Sequence, residues 1–343
     1  MNTKDLIFDL CSACGVSGFE EPAVFKAKKY LEPFAEVKTD SNGSLIAHIT
    51  SQTAQKTILL DAHIDRIGFM VTGIDDDGFV RVDKCGGIDV RTLCDCEIVL
   101  QKNPNIKGVV CCMPPHLTGG SEDKADDLDK LRIDFGMNGE QAKSLFSLGD
   151  VLTFESKPVE LLNGKIASAA LDNRCSAAAL IICAEKLHKE KNLPYNIEIL
   201  LSSQEETYAK GAKTGAFSSN ADEAITVDVS FASQPDISGF YSSIELGAGP
   251  MIGISPTLDK QMTNKLISLA QTEKISYQLE TLSASTGTNA DHISTTKGGI
   301  KTALVSIPQR YMHTQNEVIE IADAENTARL ICEYILTGGA DGE

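Results

Sequence analysis

The chain has 343 residues, 42% of them hydrophobic and 23% charged, which are ordinary globular proportions with length enough for two domains or one large α/β domain. Its 48 acidic residues outnumber 31 lysines and arginines to give a formal net charge of −17, which repels phosphate and excludes nucleic acid and anionic membrane surfaces as partners. No run approaches the roughly 18 apolar residues of a membrane span, and residues 1–5 do not open a secretory signal, so a cytoplasmic protein is expected.

In chain order, residues 4–11 carry apolar side chains at helical spacing, closed by the Gly15-Val16-Ser17-Gly18 loop. Residues 20–31 predict a second helix, with Pro22 tolerated in its first turn. Residues 44–49 and 56–61 read as strands, the second holding the continuous run Ile58-Leu59-Leu60 of a strand buried on both faces. Between 69 and 160 the texture changes. Short β-prone runs alternate with turn signals at Asp77-Gly78, Gly86-Gly87, Asn103-Pro104-Asn105 and Pro114-Pro115, which predicts a separate small β-barrel inserted into the fold. Residues 123–131 are acidic and read as a solvated loop.

Beyond Asn163, helices are predicted over 175–187, 210–217, 258–272, 292–297 and 323–336, and strands over 196–202, 224–228 and 302–307. This alternation predicts an α/β domain, built from residues 1–68 and 161–343, around a helix-covered, mostly parallel sheet. The ten cysteines show no zinc-finger spacing and read as reduced, small buried hydrophobes.

The chemistry is suggested by where polar residues fall. The buried strand at 56–62 runs into His63-Ile64-Asp65, the strand at 196–202 into Glu205-Glu206, and the strand at 224–227 ends at Asp228. The strand at 302–307 leads to His313, and Asp172 stands at the mouth of the long helix. In an open α/β sheet, ligands bind beyond the carboxyl ends of the strands, so five junctions deliver two imidazoles and several carboxylates to one edge. Divalent cations explain such a gathering, because crowded carboxylates repel one another until a cation intervenes. Imidazole mixed with carboxylate suits zinc, with cobalt or manganese as alternatives, better than calcium. Two histidines and three or four carboxylates exceed one tetrahedral shell and suit a pair of ions activating a water.

At these residues the sequence resembles the tetrahedral aminopeptidase family of co-catalytic zinc metallopeptidases, which includes glutamyl and deblocking aminopeptidases. The resemblance spans essentially the whole chain. It runs through Gly15-Val16-Ser17-Gly18-Phe19-Glu20, Asp40-Ser41-Asn42-Gly43, Asp61-Ala62-His63-Ile64-Asp65, Ala170-Leu171-Asp172-Asn173-Arg174 and Arg310-Tyr311-Met312-His313. It implies that His63, Asp172 and Asp228 hold one ion and Asp172, Glu206 and His313 the other. Glu205 would be the general base and Asp65 would orient His63. It also implies that residues 69–160 form a dimerisation domain, that dimers assemble into a tetrahedral dodecamer, and that short peptides are the substrates.

The sequence departs from the family at Arg66, Thr207-Tyr208, Cys175-Ser176, Ser230-Phe231-Ala232 and Asn289. Arg66 has two readings, attraction of an acidic N-terminal side chain or a salt bridge to nearby carboxylates. Asn289, His292 and Arg310 are further candidates for the substrate pocket, whereas His48, His116 and His188 read as structural. The alternatives to an aminopeptidase are another metal-dependent amide hydrolase, such as a deacylase or deblocking enzyme, and a non-catalytic assembled scaffold. A glycosidase fits poorly, because its two carboxyl groups face each other across a bond, whereas Glu205 and Glu206 are adjacent and the chain has no Trp for sugar stacking.

Overall fold

A computed structural model describes residues 1–111 and 131–341. Helix α1 (Thr3–Cys11) is capped by the Asn2 side chain, which accepts the Asp5 N–H, and buries Leu6, Ile7 and Leu10. Helix α2 (Glu21–Leu31) carries Pro22 in its first turn, where the missing N–H has no helical partner to lose. Strands β1 (Glu36–Thr39), β2 (Leu45–Ile49) and β3 (Lys56–His63) follow, and β3 delivers His63 within the strand itself.

The chain then leaves the sheet and closes a six-stranded antiparallel barrel. Its strands are β4 (Gly68–Ile74), β5 (Val80–Cys85), β6 (Glu97–Leu100), β7 (Asn103–Val110), β8 (Arg132–Asp134) and β9 (Val151–Phe154), ordered β4-β5-β8-β7-β6-β9. The short helix α3 (Gly139–Leu145), started by a capping box between Asn138 and Gln141, joins β8 to β9. Phe69, Val80, Ile98, Ile133, Leu152 and Phe154 fill a core distinct from that of the main sheet. Strand β10 (Val159–Glu160), inside the segment expected to be barrel, pairs instead with β11 (Lys165–Ser168) outside it. Pro114-Pro115, His116 and the acidic stretch through Lys130 lie outside the described residues.

The second half supplies α4 (Leu171–Leu187), β12 (Tyr195–Ser202), α5 (Glu205–Tyr208), α6 (Lys210–Ser218), β13 (Glu223–Phe231), β14 (Met251–Ile254), α7 (Lys260–Thr272), β15 (Gln278–Thr281), α8 (Ala290–Ile293), β16 (Lys301–Gln309), β17 (Glu317–Glu320) and α9 (Ile321–Leu336). The main sheet has eight strands in the order β1-β2-β12-β3-β13-β16-β14-β15. Its centre, β12-β3-β13-β16, is parallel, and the edges add antiparallel pairings. Strand β17 pairs with β11 in a small separate sheet.

Helices cover both faces of the main sheet. On one, α4 is buried almost all round, and α1, α2, α7 and α9 contribute to the largest core cluster. The small Ala177-Ala178-Ala179 stretch keeps α4 close to the sheet, and burying Leu180 and Ile181 in full contributes about 2 kcal/mol each. On the other face, α6 and α8 bury Ala212, Ala216 and Ile293 against Leu59, Leu200 and Ala224. Helix α8 begins two residues before the predicted 292–297 and ends at Ile293, and beyond it Lys297 takes a left-handed conformation. Among the described residues no helix is long and apolar enough to cross a membrane.

Candidate active site

The carboxyl ends of the four central parallel strands converge on one edge. His63 closes β3, Asp228 lies near the end of β13, β12 leads to Glu205 and Glu206 in α5, and β16 leads to His313. Asp172 joins them from the first turn of α4. Three of these segments turn on non-glycine residues in the left-handed region, Ala170 (φ 63°), Gln204 (φ 56°) and His313 itself (φ 61°). Such conformations are costly and persist where the surrounding structure over-determines them, commonly at functional sites.

Asp172 is the centre of the arrangement. Its Oδ1 lies 3.0 Å from His63 Nε2, and its Oδ2 lies 3.2 Å from His313 Nε2. Each imidazole faces a second carboxylate, His63 meeting Asp228 Oδ1 at 3.7 Å and His313 meeting Glu206 Oε2 at 3.4 Å. Donor atoms of His63, Asp172 and Glu206 lie within 4.8 Å of one another, a group that takes members from both pairs. Glu205 Oε2 stands 4.0 Å from His63 Nε2. A cavity of about 230 Å³ opens over these residues, and Glu205 also borders a wider outer cleft.

Buried carboxylates hold the backbone of the cluster. Asp65 accepts the N–H groups of Glu205 (3.0 Å) and Glu206 (3.1 Å), one per oxygen. His63 Nδ1 is 3.4 Å from Asp65 Oδ1, close but not aligned for a hydrogen bond. Glu317 accepts the N–H groups of Asp172 and His313, each at 3.0 Å, and so ties the central carboxylate to one imidazole. Glu20 accepts from Gly18 and Gln204, and Asp61 accepts the Asn289 amide at 3.0 Å. Glu317 was not singled out from the sequence, and Glu20 and Asp61 entered only as members of the motifs that carry the resemblance. For Asp61 a signal existed, since a carboxylate inside the apolar run of a strand buried on both faces requires a partner.

The electrostatics are those of a site built for cations. Burial pushes the carboxyl of Glu205 up to about 7, against the pull of His63, and drives Glu206 and Asp228 well above the usual carboxylate range. Burial also acts to raise Asp172, but the hydrogen bonds of His313 and His63 outweigh it and hold this carboxyl well below its ordinary value. Burial would lower both histidines, yet Asp172 and its neighbours raise them, His313 to about 10. Without cations the cluster keeps protons it would give up to a metal.

The sequence pattern of the M42 glutamyl aminopeptidase family matches residues 43–330. The chain is 32% identical to a lysyl aminopeptidase of Pyrococcus furiosus over 333 residues, 95% of this chain and 94% of that one. The chain belongs to the M42 glutamyl aminopeptidase family. Its members, this chain among them, are metallopeptidases that remove residues from peptide N-termini. An aminopeptidase from the archaeon Desulfurococcus kamchatkensis superposes with a TM-score of 0.91 at 29% identity, covering 99% of this chain and 96% of that one. The TET1 peptidase of Pyrococcus horikoshii, which can assemble into a tetrahedron or a large octahedral shell, superposes at 0.86 with 27% identity over 98% and 99% of the two chains.

The donor chemistry of His63, Asp172 and Glu206, one imidazole and two carboxylates, suits a divalent metal such as an M42 metallopeptidase carries, and His313 and Asp228 stand beside them. The four pocket candidates are placed differently. Arg66 is buried and lines no part of the cavity. Its backbone is tied to Gly15 and Ser17, and among the described residues no close salt bridge meets its guanidinium, which feels Glu317 and Glu206 at longer range. Asn289 lies beneath the site, donating to Asp61 and to Ser202. His292 borders the outer cleft with Lys213 and Glu205. Arg310 points away, its Nε donating to the Ser233 carbonyl at 2.6 Å.

Proposed function

We propose that the cluster holds two divalent ions, zinc in preference to cobalt or manganese, and that the M42 reaction of this chain runs with Glu205 as its general base. His63, Asp172 and Asp228 would hold one ion, and Asp172, Glu206 and His313 the other, with Asp172 shared. The observation that carries this reading is the geometry of Asp172, whose two oxygens face two different imidazoles, each backed by its own carboxylate. When bound, such ions lower the pKa of water and polarise a carbonyl oxygen.

The chain's own residues do the rest. Glu205 stands at the boundary between cavity and cleft, where it takes a proton from the attacking water and passes it to the leaving amine. Asp65 fixes the Glu205 and Glu206 backbone and stands beside the far nitrogen of His63, so ligand and base are positioned by one carboxylate. The cavity, smaller than the roughly 300–1,000 Å³ of drug-sized pockets, takes one N-terminal residue while the cleft takes the rest of a short peptide. The family description says glutamyl and the Pyrococcus furiosus relative is lysyl, side chains of opposite charge, so this chain's own pocket wall sets its preference. Assembly into dimers through the barrel and into a tetrahedral dodecamer is part of the same proposal, supported by the TET1 relative.

The test is amino-acid release from short peptides, free and N-acetylated, by protein loaded with zinc, cobalt or manganese. Chelator-sensitive cleavage of free N-termini alone supports the proposal. Equal cleavage of acetylated peptides moves the site to a deblocking enzyme or deacylase, and two bound ions without turnover point to a scaffold.

A further inference from the structure

Glu280 is in β15, at the edge of the main sheet, where it is 2% exposed while its neighbour Leu279 is 39% exposed. Strand alternation ordinarily buries the leucine and exposes the glutamate. Here the order is reversed.

The register shows where the carboxylate goes. Asp228 pairs with Ser306 across β13 and β16, Ser306 pairs with Met251 across β16 and β14, and Gly253, two residues on, pairs with Glu280. Paired residues and residues two apart share a face, so Glu280 lies on the same face as Asp228, Ser230, Leu304 and Ser306. All five line the cavity over the Asp172 cluster. Gly253, between Glu280 and Leu304, sits where a Cβ would press on both Leu258 and Leu304.

Three hydroxyls donate to the carboxylate: Ser230 and Tyr241 (3.2 Å) to Oε1, and Ser306 (3.2 Å) to Oε2. Among the described residues no arginine or lysine acts on its charge. Burial pushes this carboxyl up and only the hydroxyls pull it back. Ser230, which touches Glu280, is two residues beyond Asp228 along β13, about 7 Å at the rise of an extended strand. That separation suits the four-carbon stem of a lysine. Leu304 and the Tyr241 ring offer apolar walls to such a stem, with the carboxylate at its end.

We propose that Glu280 recognises a cationic N-terminal side chain, lysine or arginine, on peptides whose N-terminus is held at the Asp172 cluster. The proposal rests on the aminopeptidase reading above for where the N-terminus sits. An acidic side chain would face a like charge, and an apolar one would strip water from the carboxylate without replacing it.

The experiment compares wild type with Glu280→Gln, which is nearly isosteric, on tripeptides with lysine, arginine, norleucine or glutamate at the N-terminus. Norleucine matches much of the lysine stem without its charge. Wild type is expected to favour lysine over norleucine in kcat/KM by about 30-fold or more, the scale of losing one partner of a buried charge pair. Glu280→Gln should collapse that ratio by lowering turnover of lysine and raising that of norleucine, since the buried charge that pairs with the first and is desolvated by the second is gone. Calorimetric binding of lysinamide and norleucinamide to the metal-loaded proteins gives a second readout that needs no turnover. Absence of a lysine preference in wild type overturns the proposal without any variant, as does an equal loss on lysine and norleucine in Glu280→Gln. If no peptide is cleaved but lysinamide binds better through Glu280, the aminopeptidase reading fails and the pocket assignment stands. If peptides are cleaved and the two amides bind alike, the pocket assignment fails alone.

Discussion

Glu317 offers a stringent test of how the cluster is held, because it touches no proposed substrate position and reaches the proposed ligands Asp172 and His313 through their backbone. Its two oxygens accept the N–H groups of Asp172 and His313, each at 3.0 Å. Replacing it by alanine leaves one buried and one half-buried N–H without an acceptor. At about 1–3 kcal/mol for a buried unsatisfied donor, and less for one that water can reach, the sum is about 2–4 kcal/mol. Part of that cost falls on the folded state, and part on the geometry that keeps both oxygens of Asp172 aimed at the two imidazoles. Loss of an outer partner of a metal ligand costs about 10–100-fold in metal affinity. Glu317→Gln keeps one acceptor oxygen and should fall between wild type and Glu317→Ala. The assay is metal titration against a chromophoric chelator, with thermal melting of the same samples. Glu317→Ala that binds metal within twofold of wild type and melts within a degree of it would refute the brace.

Two further outcomes follow from the charge state of the molecule. His63 and His313 are raised above the ordinary histidine range and Glu206 and Asp228 above the carboxylate range, so loading the site at pH 7 should expel protons. Calorimetric metal titrations in buffers of different ionisation enthalpy should report about two or more protons released per chain, and none released would contradict the shared-charge picture. Far from the site, burial holds the Asp323 carboxyl up at about 6, against a usual 3.8, although it caps the Gly247 and Gly249 N–H groups. A folded pKa above the unfolded one makes this group's contribution greatest below pH 4 and progressively lost as pH rises to 6, by at most about 3 kcal/mol. The thermal stability of wild type relative to Asp323→Asn should therefore decline from pH 4 to pH 7, and a rise over that window would reverse the sign.

Much of the architecture could be read from local patterns, because the central strands are continuous apolar runs that break sharply into polar residues. Ile58-Leu59-Leu60 and Ile199-Leu200-Leu201 lie in strands that end at His63 and before Glu205, and the sheet brings those ends side by side, with Ser202 in register with His63. The barrel was legible from its turns. The edges were not, since β14 and β15 have four residues each and Gly253 and Glu280 interrupt any apolar pattern. Glu317 and Glu280 were invisible for a related reason. Glu317 binds Asp172, 145 residues away, and Glu280 binds Ser230, 50 away, so their meaning exists only once the sheet has formed. Arg66 could not be placed from its position after His63-Ile64-Asp65, which leaves open whether it faces the site or the interior. The Arg66 N–H bonds the Gly15 carbonyl, its own carbonyl accepts from Ser17, and the side chain is buried.

The most direct test of the central claim is metal content and turnover measured together on Glu205→Gln. The account expects two ions per chain, as in wild type, with release of N-terminal residues reduced by about 10²–10⁴-fold, the contribution of a positioned general base. A variant that loses ions along with activity would make Glu205 a ligand, and one that keeps both ions and full turnover would leave the proton transfer to another group.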